Sequence, residues 1–464
     1  MLTMKFGIIF WFQIIFSIMN KALSLILTVI CAYFSMGFLH PDEQYYAIDF
    51  AAFKVGILEG INSWEYDTRL RPWSLPFIFM PFLKLFKLLG MDPFEMSFGL
   101  RLISGLFSFA ALQIFIKEMK KHLSRVGGDA LFYALHFGFI FKLMMVRTNS
   151  ENYATGLFLI AFAFALKKDV LKASLFSGLS FLVRHQLGFM VLPLGLYFLL
   201  MEKVKFSKWL IQFCLPMVII MGVGLGIDSI GYGDLSFSPW HYFYQNILLA
   251  KVNTFGEHPF YYYLYKGLTK TMPWFILMVA GFIYYALQKR KDLLFWSVTL
   301  FILVHHLIAH KELRFLYPVA PLLVTMGIKW MDDKKLFELK AVKFFWVANL
   351  IVLPFVILRP AYTPLKFYKD LYQRDIKEVQ VLADANGRYP SLEMKFYKKE
   401  GLILKPVKSL EEVAGPVFTT KYQQLKTLQN KGCQLIYSSY PQWLFKFNYF
   451  NWLKRSNVWA LTRC

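Results

Sequence analysis

Residues 22–43 read ALSLILTVICAYFSMGFLHPDE, an apolar run from Ala22 to Leu39 that ends on His40-Pro41-Asp42-Glu43. The run is long enough to approach a membrane crossing as a helix. Ionised carboxylates so close to hydrocarbon are costly unless they line a cavity, pair with a cation or do chemistry. Asp42 and Glu43 therefore read as candidate catalytic acids at a membrane exit. A second polar cluster, His310-Lys311-Glu312-Leu313-Arg314-Phe315, lies far downstream in the same setting, between two apolar runs. On one side of a membrane the two clusters would make a site.

Composition agrees with a membrane setting. Hydrophobic residues make up 57% of the 464-residue chain and charged residues only 17%, with Phe alone occurring 49 times. Soluble domains carry fewer apolar and more charged residues. The formal net charge of +23 would suit a nucleic-acid partner if it were gathered, but the basic residues are spread as short clusters between apolar runs. That distribution is the mark of cytoplasmic loops, and no nucleic-acid partner is expected. Phe6 to Ile18 is apolar, yet no small-residue cleavage pattern follows and Lys21 opens a full span, so no cleavable signal is expected.

Basic clusters at Lys117 to Arg125, Lys167 to Lys172, Lys203 to Lys208, Lys289 to Lys291 and Lys334 to Lys340 each separate two apolar runs and are assigned to the cytoplasm. The spans then fall near 22–39, 98–116, 130–146, 152–166, 172–184, 186–201, 209–227, 271–287, 293–309, 314–331 and 342–359, about eleven in all. The N-terminus is expected in the cytoplasm and the C-terminus on the opposite side. Ser74 to Gly90 is also apolar, but counting it would invert every later cluster. With Pro76, Pro81, Lys84 and Lys87 it is expected to lie flat at the interface. Residues 40–97 then form a first external loop.

Residues 1–359 are thus expected to form a multi-pass helical membrane domain. Beyond Arg359 the composition turns to a Lys-rich mixture of short apolar stretches and turn signals such as Asn386-Gly387 and Lys431-Gly432. Residues 360–464 are expected to form a small external α/β domain. Its candidate strands are Leu402–Leu404, Val417–Thr419, Leu435–Tyr437 and Val458–Leu461, with a helix over Tyr422–Gln429. Cys433 and Cys464 both fall in that domain, where a disulfide is permitted. Cys31 and Cys214 lie in spans and read as small apolar fillers.

Taken with their neighbours, these residues resemble a known family. His40-Pro41-Asp42-Glu43, Trp64-Glu65-Tyr66 with Leu70-Arg71 and Pro76, Arg147-Thr148-Asn149-Ser150-Glu151, Asp228 to Gly233, Gly256-Glu257-His258-Pro259 with the aromatic run to Tyr263, and His310 to Phe315 occur in that order. The set resembles the glycosyltransferase family 22 mannosyltransferases of the GT-C superfamily over roughly residues 30–330. That resemblance implies a GT-C fold, a lipid-linked phosphosugar donor, a glycan or glycolipid acceptor and work outside the cytoplasm. Tyr46 and Asp49 stand where the family commonly has Gln and then Glu, and Pro72 stands where a Ser is common. These differences leave the two acids intact.

Moving a sugar from a polyprenyl phosphate to a hydroxyl needs a base for the acceptor proton and positive charge for the departing phosphate. Asp42 is the expected base, with Glu43 orienting the acceptor or tuning Asp42. A helix N-cap after Pro41 is the structural alternative for Asp42. One carboxylate suffices for an inverting displacement, whereas retention usually needs a nucleophile on the opposite face. Donor phosphate binding falls to Arg71, Arg184, His310, Lys311 and Arg314. Lys311 and Arg314 could instead anchor to headgroups, and Arg184 could pair with Glu151 or Glu312. His40, Glu65, Glu151, Asp228, His258 and Glu312 are expected in support. Neither a metal nor a cofactor is expected, because the basic residues already offset the acids.

The chain is therefore expected to be a GT-C membrane glycosyltransferase that moves mannose or a related hexose. A transporter or flippase of lipid-linked sugars is the reading from another class, although transporters usually show internal repeats and interrupted midplane helices. A GT-C transferase for another sugar, such as an aminoarabinose, keeps the mechanism and changes the substrate.

Overall fold

The computed structural model describes residues 2–61, 63–383 and 387–464, without the side chains of residues 2–17. Asn386, read above as part of a turn, lies outside the described residues, as do most side chains of the run Phe6 to Ile18. The chain divides into two units. One takes in residues up to 35 together with 40–86 and 98–359, and the other 36–39, 87–97 and 360–464.

The first unit is helical. Among the described residues, three helices are long and apolar enough to cross a membrane: Pro93–His122, Phe206–Tyr232 and Lys340–Ile357. Helices Arg125–Phe137 and Phe139–Met145 pass the same test together but are bent by 53° at their junction. Shorter apolar helices cover Ile18–Phe34, Ser150–Leu166, Val170–Val183, His185–Leu200, Trp274–Gln288 and Leu293–Leu307, and a further helix runs over Ala320–Asp333. Every apolar stretch marked in the sequence thus holds a helix. Ser74–Leu88 is also helical, with Pro81 inside it.

Local chemistry fixes where several of these helices begin. Asn149 caps Ser150–Leu166 by accepting the amide of Asn152 at 3.0 Å, Asp292 caps Leu293–Leu307 through the amide of Leu294, and Ser124 caps Arg125–Phe137 through Gly127. The bend at Gly138 is held by one side chain. Asn349 accepts the amide of Phe139 at 3.0 Å, donates to the carbonyl of Phe137 at 2.9 Å and accepts the indole N–H of Trp274 at 3.2 Å. Backbone groups freed by a helix break are otherwise costly in an apolar interior. A Cβ at position 138 would lie 2.4 Å from the carbonyl of Ala134, so the close turn needs glycine.

The second unit is built on a five-stranded sheet in the order β2-β1-β3-β5-β4. The strands are β1 (Glu378–Leu382), β2 (Ile403–Val407), β3 (Pro416–Thr419), β4 (Gln434–Ser438) and β5 (Ala460–Arg463). β1 pairs parallel with β2 and β3, while β5 pairs antiparallel with β3 and β4. Helix Leu365–Gln373 packs Phe367 on Phe418 of β3, ring centroids 4.6 Å apart. β1 and this helix are not among the elements marked in the sequence; the other four strands and the helix Tyr422–Asn430 lie close to where the pattern puts them. Met36–Leu39 belongs to this unit because its backbone binds there. The carbonyl of Met36 accepts the amides of Ala361 and Tyr362, and Phe38 stacks on Tyr362 at 4.3 Å.

Cys433 and Cys464 are joined in a disulfide. The bridge closes a sequence separation of 31 residues, and cross-links of that span stabilise by about 2–4 kcal/mol, mainly by restricting the unfolded chain. Cys464→Ser is expected to lower the thermal unfolding midpoint of the purified protein, and a reducing agent should lower the wild type to the same value. Identical midpoints for oxidised and reduced protein would show that the bridge carries no stability.

Candidate active site

The turn after the first helix delivers the acids. Asp42 and Glu43 are adjacent, yet their side chains go to different partners. Glu43 is buried and faces the equally buried Arg147, 3.6 Å away, while its Oε1 accepts the amide of His40. Arg147 also donates to the carbonyl and hydroxyl of Ser35, tying the turn to the end of the preceding helix. Asp42 points into a second, larger network.

In that network Asp42 Oδ2 accepts Arg71 at 2.9 Å and Arg314 at 3.0 Å, and its Oδ1 lies 3.2 Å from Nδ1 of His40. Arg71 also donates to Glu65 at 2.6 Å. Arg314 also donates to Glu151 and Glu312, each at 2.6 Å. His40 completes the ring through its other nitrogen, 3.1 Å from Glu312. Arg184 joins from the far side, 3.1 Å from Glu151 and bonded to the hydroxyl of Ser150 at 3.0 Å. Phe315 underlies both guanidinium groups at 5.0 and 5.3 Å, a cation–π support. His310 places Nε2 3.1 Å from Glu312 and Nδ1 3.0 Å from the carbonyl of Gly256, both of them acceptors. Its ring lies 6.1 Å from that of Phe255, which stacks on Trp64.

Burial alone would raise the Asp42 carboxyl, but the charges of Arg314 and Arg71 and the bond from His40 outweigh it and hold Asp42 well below the usual carboxylate range. Glu312 is likewise pushed down, against burial, by His40 and Arg314. His40 moves the other way. Burial opposes its charge, but the bonds to Asp42 and then Glu312 prevail and raise it from 6.5 to about 9.

Of the expected site residues, His40, Asp42, Glu65, Arg71, Glu151, Arg184, His310, Glu312 and Arg314 meet in this one network. Arg184 is there as the partner of Glu151. Glu43 is not in it, because successive side chains in the turn diverge. Lys311 is not either: its ammonium binds the carbonyls of His258 and Ile308. His258 stacks on Tyr262 at 4.1 Å and contributes its backbone to that contact. Asp228 accepts the amide of Trp73 at 2.8 Å and the amide of Ser238 at 2.9 Å, which pins the loop following Arg71 to helix Leu215–Tyr232. Pairing of Glu43 with Arg147 is the feature the sequence conceals, although Arg147 stands two residues before the cap Asn149 at a span end.

Beside the network lies an apolar cavity of about 620 Å³. Leu264, Phe275, Met278, Leu303 and Tyr317 are among its walls, and Arg314 sits on its border.

The helical fold, with acids and arginines gathered at the ends of apolar helices, is of the GT-C class of membrane proteins. Solved structures share that fold. ArnT from Cupriavidus metallidurans bound to undecaprenyl phosphate superposes with a TM-score of 0.58, covering 96% of this chain and 98% of that one at 12% identity. Residues 21–386 match the Alg9-like mannosyltransferase family, and the chain belongs to it. Among relatives, the human GPI alpha-1,2-mannosyltransferase 3 is 26% identical over 322 residues, 67% of this chain and 57% of that protein. The bovine GPI alpha-1,2-mannosyltransferase 3 is 25% identical, over 67% of this chain and 58% of its own. The Drosophila melanogaster Dol-P-Man:Man(7)GlcNAc(2)-PP-Dol alpha-1,6-mannosyltransferase is 28% identical over 55% of this chain and 38% of its own. The chain therefore spans less than two thirds of the length of these curated relatives.

The His40 shift has a definite sign. A folded value above the ordinary 6.5 means that its contribution is full below about pH 6.5 and fades as pH rises through about 9. The stability gap between wild type and His40→Gln is expected to be widest below pH 6.5 and to close above about pH 9. Thermal unfolding across that range measures it, and a gap independent of pH would mean that His40 acts without its charge.

Proposed function

We propose that the chain transfers mannose, or a closely related hexose, from a polyprenyl-phosphate carrier to a glycan or glycolipid acceptor outside the cytoplasm, with inversion and with Asp42 as base. One observation carries this reading. A single guanidinium, Arg314, borders a hydrocarbon-lined cavity on one side and bonds the Asp42 carboxylate on the other. A prenyl tail fits the first environment, a phosphate the guanidinium, and an acceptor hydroxyl the carboxylate. Membership of a mannosyltransferase family and the relatives' activities support the sugar and the lipid-linked partners.

In the proposed step the acceptor oxygen attacks the anomeric carbon as the bond from that carbon to the phosphate oxygen breaks. The bonding pair leaves on the polyprenyl phosphate, and the acceptor proton passes to Asp42. Arg314 and Arg71 first hold Asp42 ionised, the state a base requires, though they also weaken its basicity. As charge grows on the leaving phosphate, a guanidinium that turns toward it releases Asp42 and strengthens the base as the proton arrives. The shared cation thus links departure of the phosphate to acceptance of the proton. Glu65, Glu151 and Glu312 orient the guanidinium groups, while Arg184 neutralises Glu151. Lys311 and His258 hold the backbone that carries His310.

Asp42→Asn is expected to abolish transfer of radiolabelled mannose from polyprenyl-phosphate mannose into a host lipid extract, with little change in folding. Arg314→Ala is expected to lower kcat by about a hundredfold or more, as loss of one preorganised electrostatic donor does. Arg314→Lys should recover only part of that loss, since an ammonium cannot serve two oxygens in the same fork. Retention of more than a few per cent of activity in Asp42→Asn would remove the base from this residue, and full activity in Arg314→Lys would remove the phosphate from Arg314.

The same reading takes the eleven helical stretches as crossings, with the N-terminus cytoplasmic and residues 360–464 external. Cysteines at Val126 and Asn430, introduced after replacement of Cys31 and Cys214, are expected to react with impermeant reagent only from the cytoplasmic and external sides respectively. Labelling of both from one side rules out this topology.

A further inference from the structure

Between β4 and β5 the sheet unit carries a loop, Gln442–Arg455, whose two faces differ sharply. On the inner face Phe445, Trp452 and the buried Leu453 join a core with Leu425, Val458 and Ala460. On the outer face Trp443, Phe447, Tyr449 and Phe450 are 61%, 46%, 71% and 91% exposed. Exposed large side chains scattered singly are ordinary, whereas a contiguous patch marks an interaction surface. Trp443 and Tyr449 each lie 6.2 Å, ring centroid to centroid, from Phe447.

The backbone presents them deliberately. Phe450 and Asn451 have φ values of 55° and 54°, a left-handed conformation that a β-carbon disfavours, especially on a bulky residue. The conformation is held by its surroundings: Arg455 donates to the carbonyl of Phe450 at 2.8 Å, the indole of Trp452 donates to the carbonyl of Phe447 at 2.8 Å, and Asn448 accepts the amide of Leu453. Such strain persists where the structure over-determines it and often marks a functional surface. The loop is a fixed wedge with a hydrophobic tip.

We propose that this wedge is a membrane-docking surface, whose aromatic tip enters the bilayer interface while Lys446, Lys454 and Arg455 bind anionic phospholipid headgroups. Charge selects this occupant. From Val413 to Cys464 the chain has no Asp or Glu, and the three cations flanking the wedge are exposed. Amphipathic aromatic rings with adjacent Lys and Arg have the composition of an interfacial anchor, the rings sitting at headgroup level and the cations on lipid phosphates. Proximity adds to it. Only residues 358–364 separate the apolar, span-length helix Lys340–Ile357 from helix Leu365–Gln373, so the unit is tethered to a membrane at high effective concentration. The inference depends on membrane attachment and not on the transfer reaction, so a chain that transfers no sugar would leave it standing.

The test uses the full chain in lipid nanodiscs, with Cys31 and Cys214 replaced by Ala, the native disulfide intact and an environment-sensitive fluorophore on Phe450→Cys. Gln429→Cys, on an exposed helix face of the same unit, is the control. In discs containing phosphatidylglycerol, the label at 450 is expected to emit to the blue and to be quenched by doxyl lipid at least about threefold more strongly than the label at 429. Lys446→Glu with Lys454→Glu should remove most of that difference in anionic discs and change little in purely zwitterionic ones. Equal quenching at the two positions overturns the proposal. So does blue emission at 450 that doxyl lipid does not quench, which would mean that a second copy or a glycan covers the wedge. If Phe450→Cys fails to fold, judged by its thermal midpoint, Tyr449→Cys carries the same measurement.

Discussion

The Arg314 guanidinium, shared among Asp42, Glu151 and Glu312, is the interaction on which the site depends. Each carboxylate comes from a different part of the chain: Asp42 from the turn after the first helix, Glu151 from the first turn of helix Ser150–Leu166, and Glu312 from the segment entering the short helix Leu313–Val319. Drawn together without cations, these acids would repel one another in a site screened from water. Removing one member of such a buried set leaves the others uncompensated, typically at a cost of several kcal/mol. Arg314 therefore fixes the mutual positions of three segments as well as their charge.

Two outer contacts keep the network from drifting. Arg147 grips Glu43 and Ser35, which sets the direction in which Asp42 leaves the turn. Asp228 pins the amide of Trp73, two residues after Arg71, and the Tyr232 hydroxyl bonds the carbonyl of Arg71 itself. Helix Leu215–Tyr232 approaches this loop closely enough that a Cβ at Gly231 would sit 2.1 Å from the Trp73 ring. Both ends of the Asp42–Arg71 bond are thus held through backbone, where their own side chains remain available to the cluster.

Much of this was legible from residue type alone. Acids and bases at the ends of apolar runs pointed to His40, Asp42, Glu151, Arg184, His310, Glu312 and Arg314, because charge near hydrocarbon is rarely idle, whereas Glu65 and Arg71 lie in a loop that the family resemblance marked. The sequence makes Asp42 the base and Glu43 its helper at the same site, but residue type does not show that the local backbone turns one toward Arg314 and the other toward Arg147. Lys311 and Asp228 carry the right charge, but Lys311 binds backbone carbonyls and Asp228 binds two amides and the Ser238 hydroxyl, partners that a pattern of charged side chains cannot reveal. In the sheet unit, β3, β4 and β5 were marked by apolar stretches, whereas β1 is specified chiefly by its two parallel partners. The recruitment of Met36–Leu39 was likewise invisible, since it rests on carbonyl and ring contacts with residues more than three hundred positions away.

Formal charge gives the arrangement a further meaning under the proposed reaction. Asp42, Glu65, Glu151 and Glu312 face Arg71, Arg184, Arg314 and a His40 that is protonated at neutral pH, so the ligand-free cluster is balanced. A donor phosphodiester brings one negative charge into it and gains little net charge attraction, because every guanidinium already faces a carboxylate. During transfer a negative charge leaves Asp42, as it takes the proton, and another grows on the departing phosphate. The arginines between them then see charge move from one bonded neighbour to the next instead of appearing in an unprepared place. Interactions that strengthen only as the reaction proceeds accelerate it, whereas tight ground-state binding does not. A cluster balanced in charge at rest, with its central cation bordering the hydrocarbon cavity, has that property.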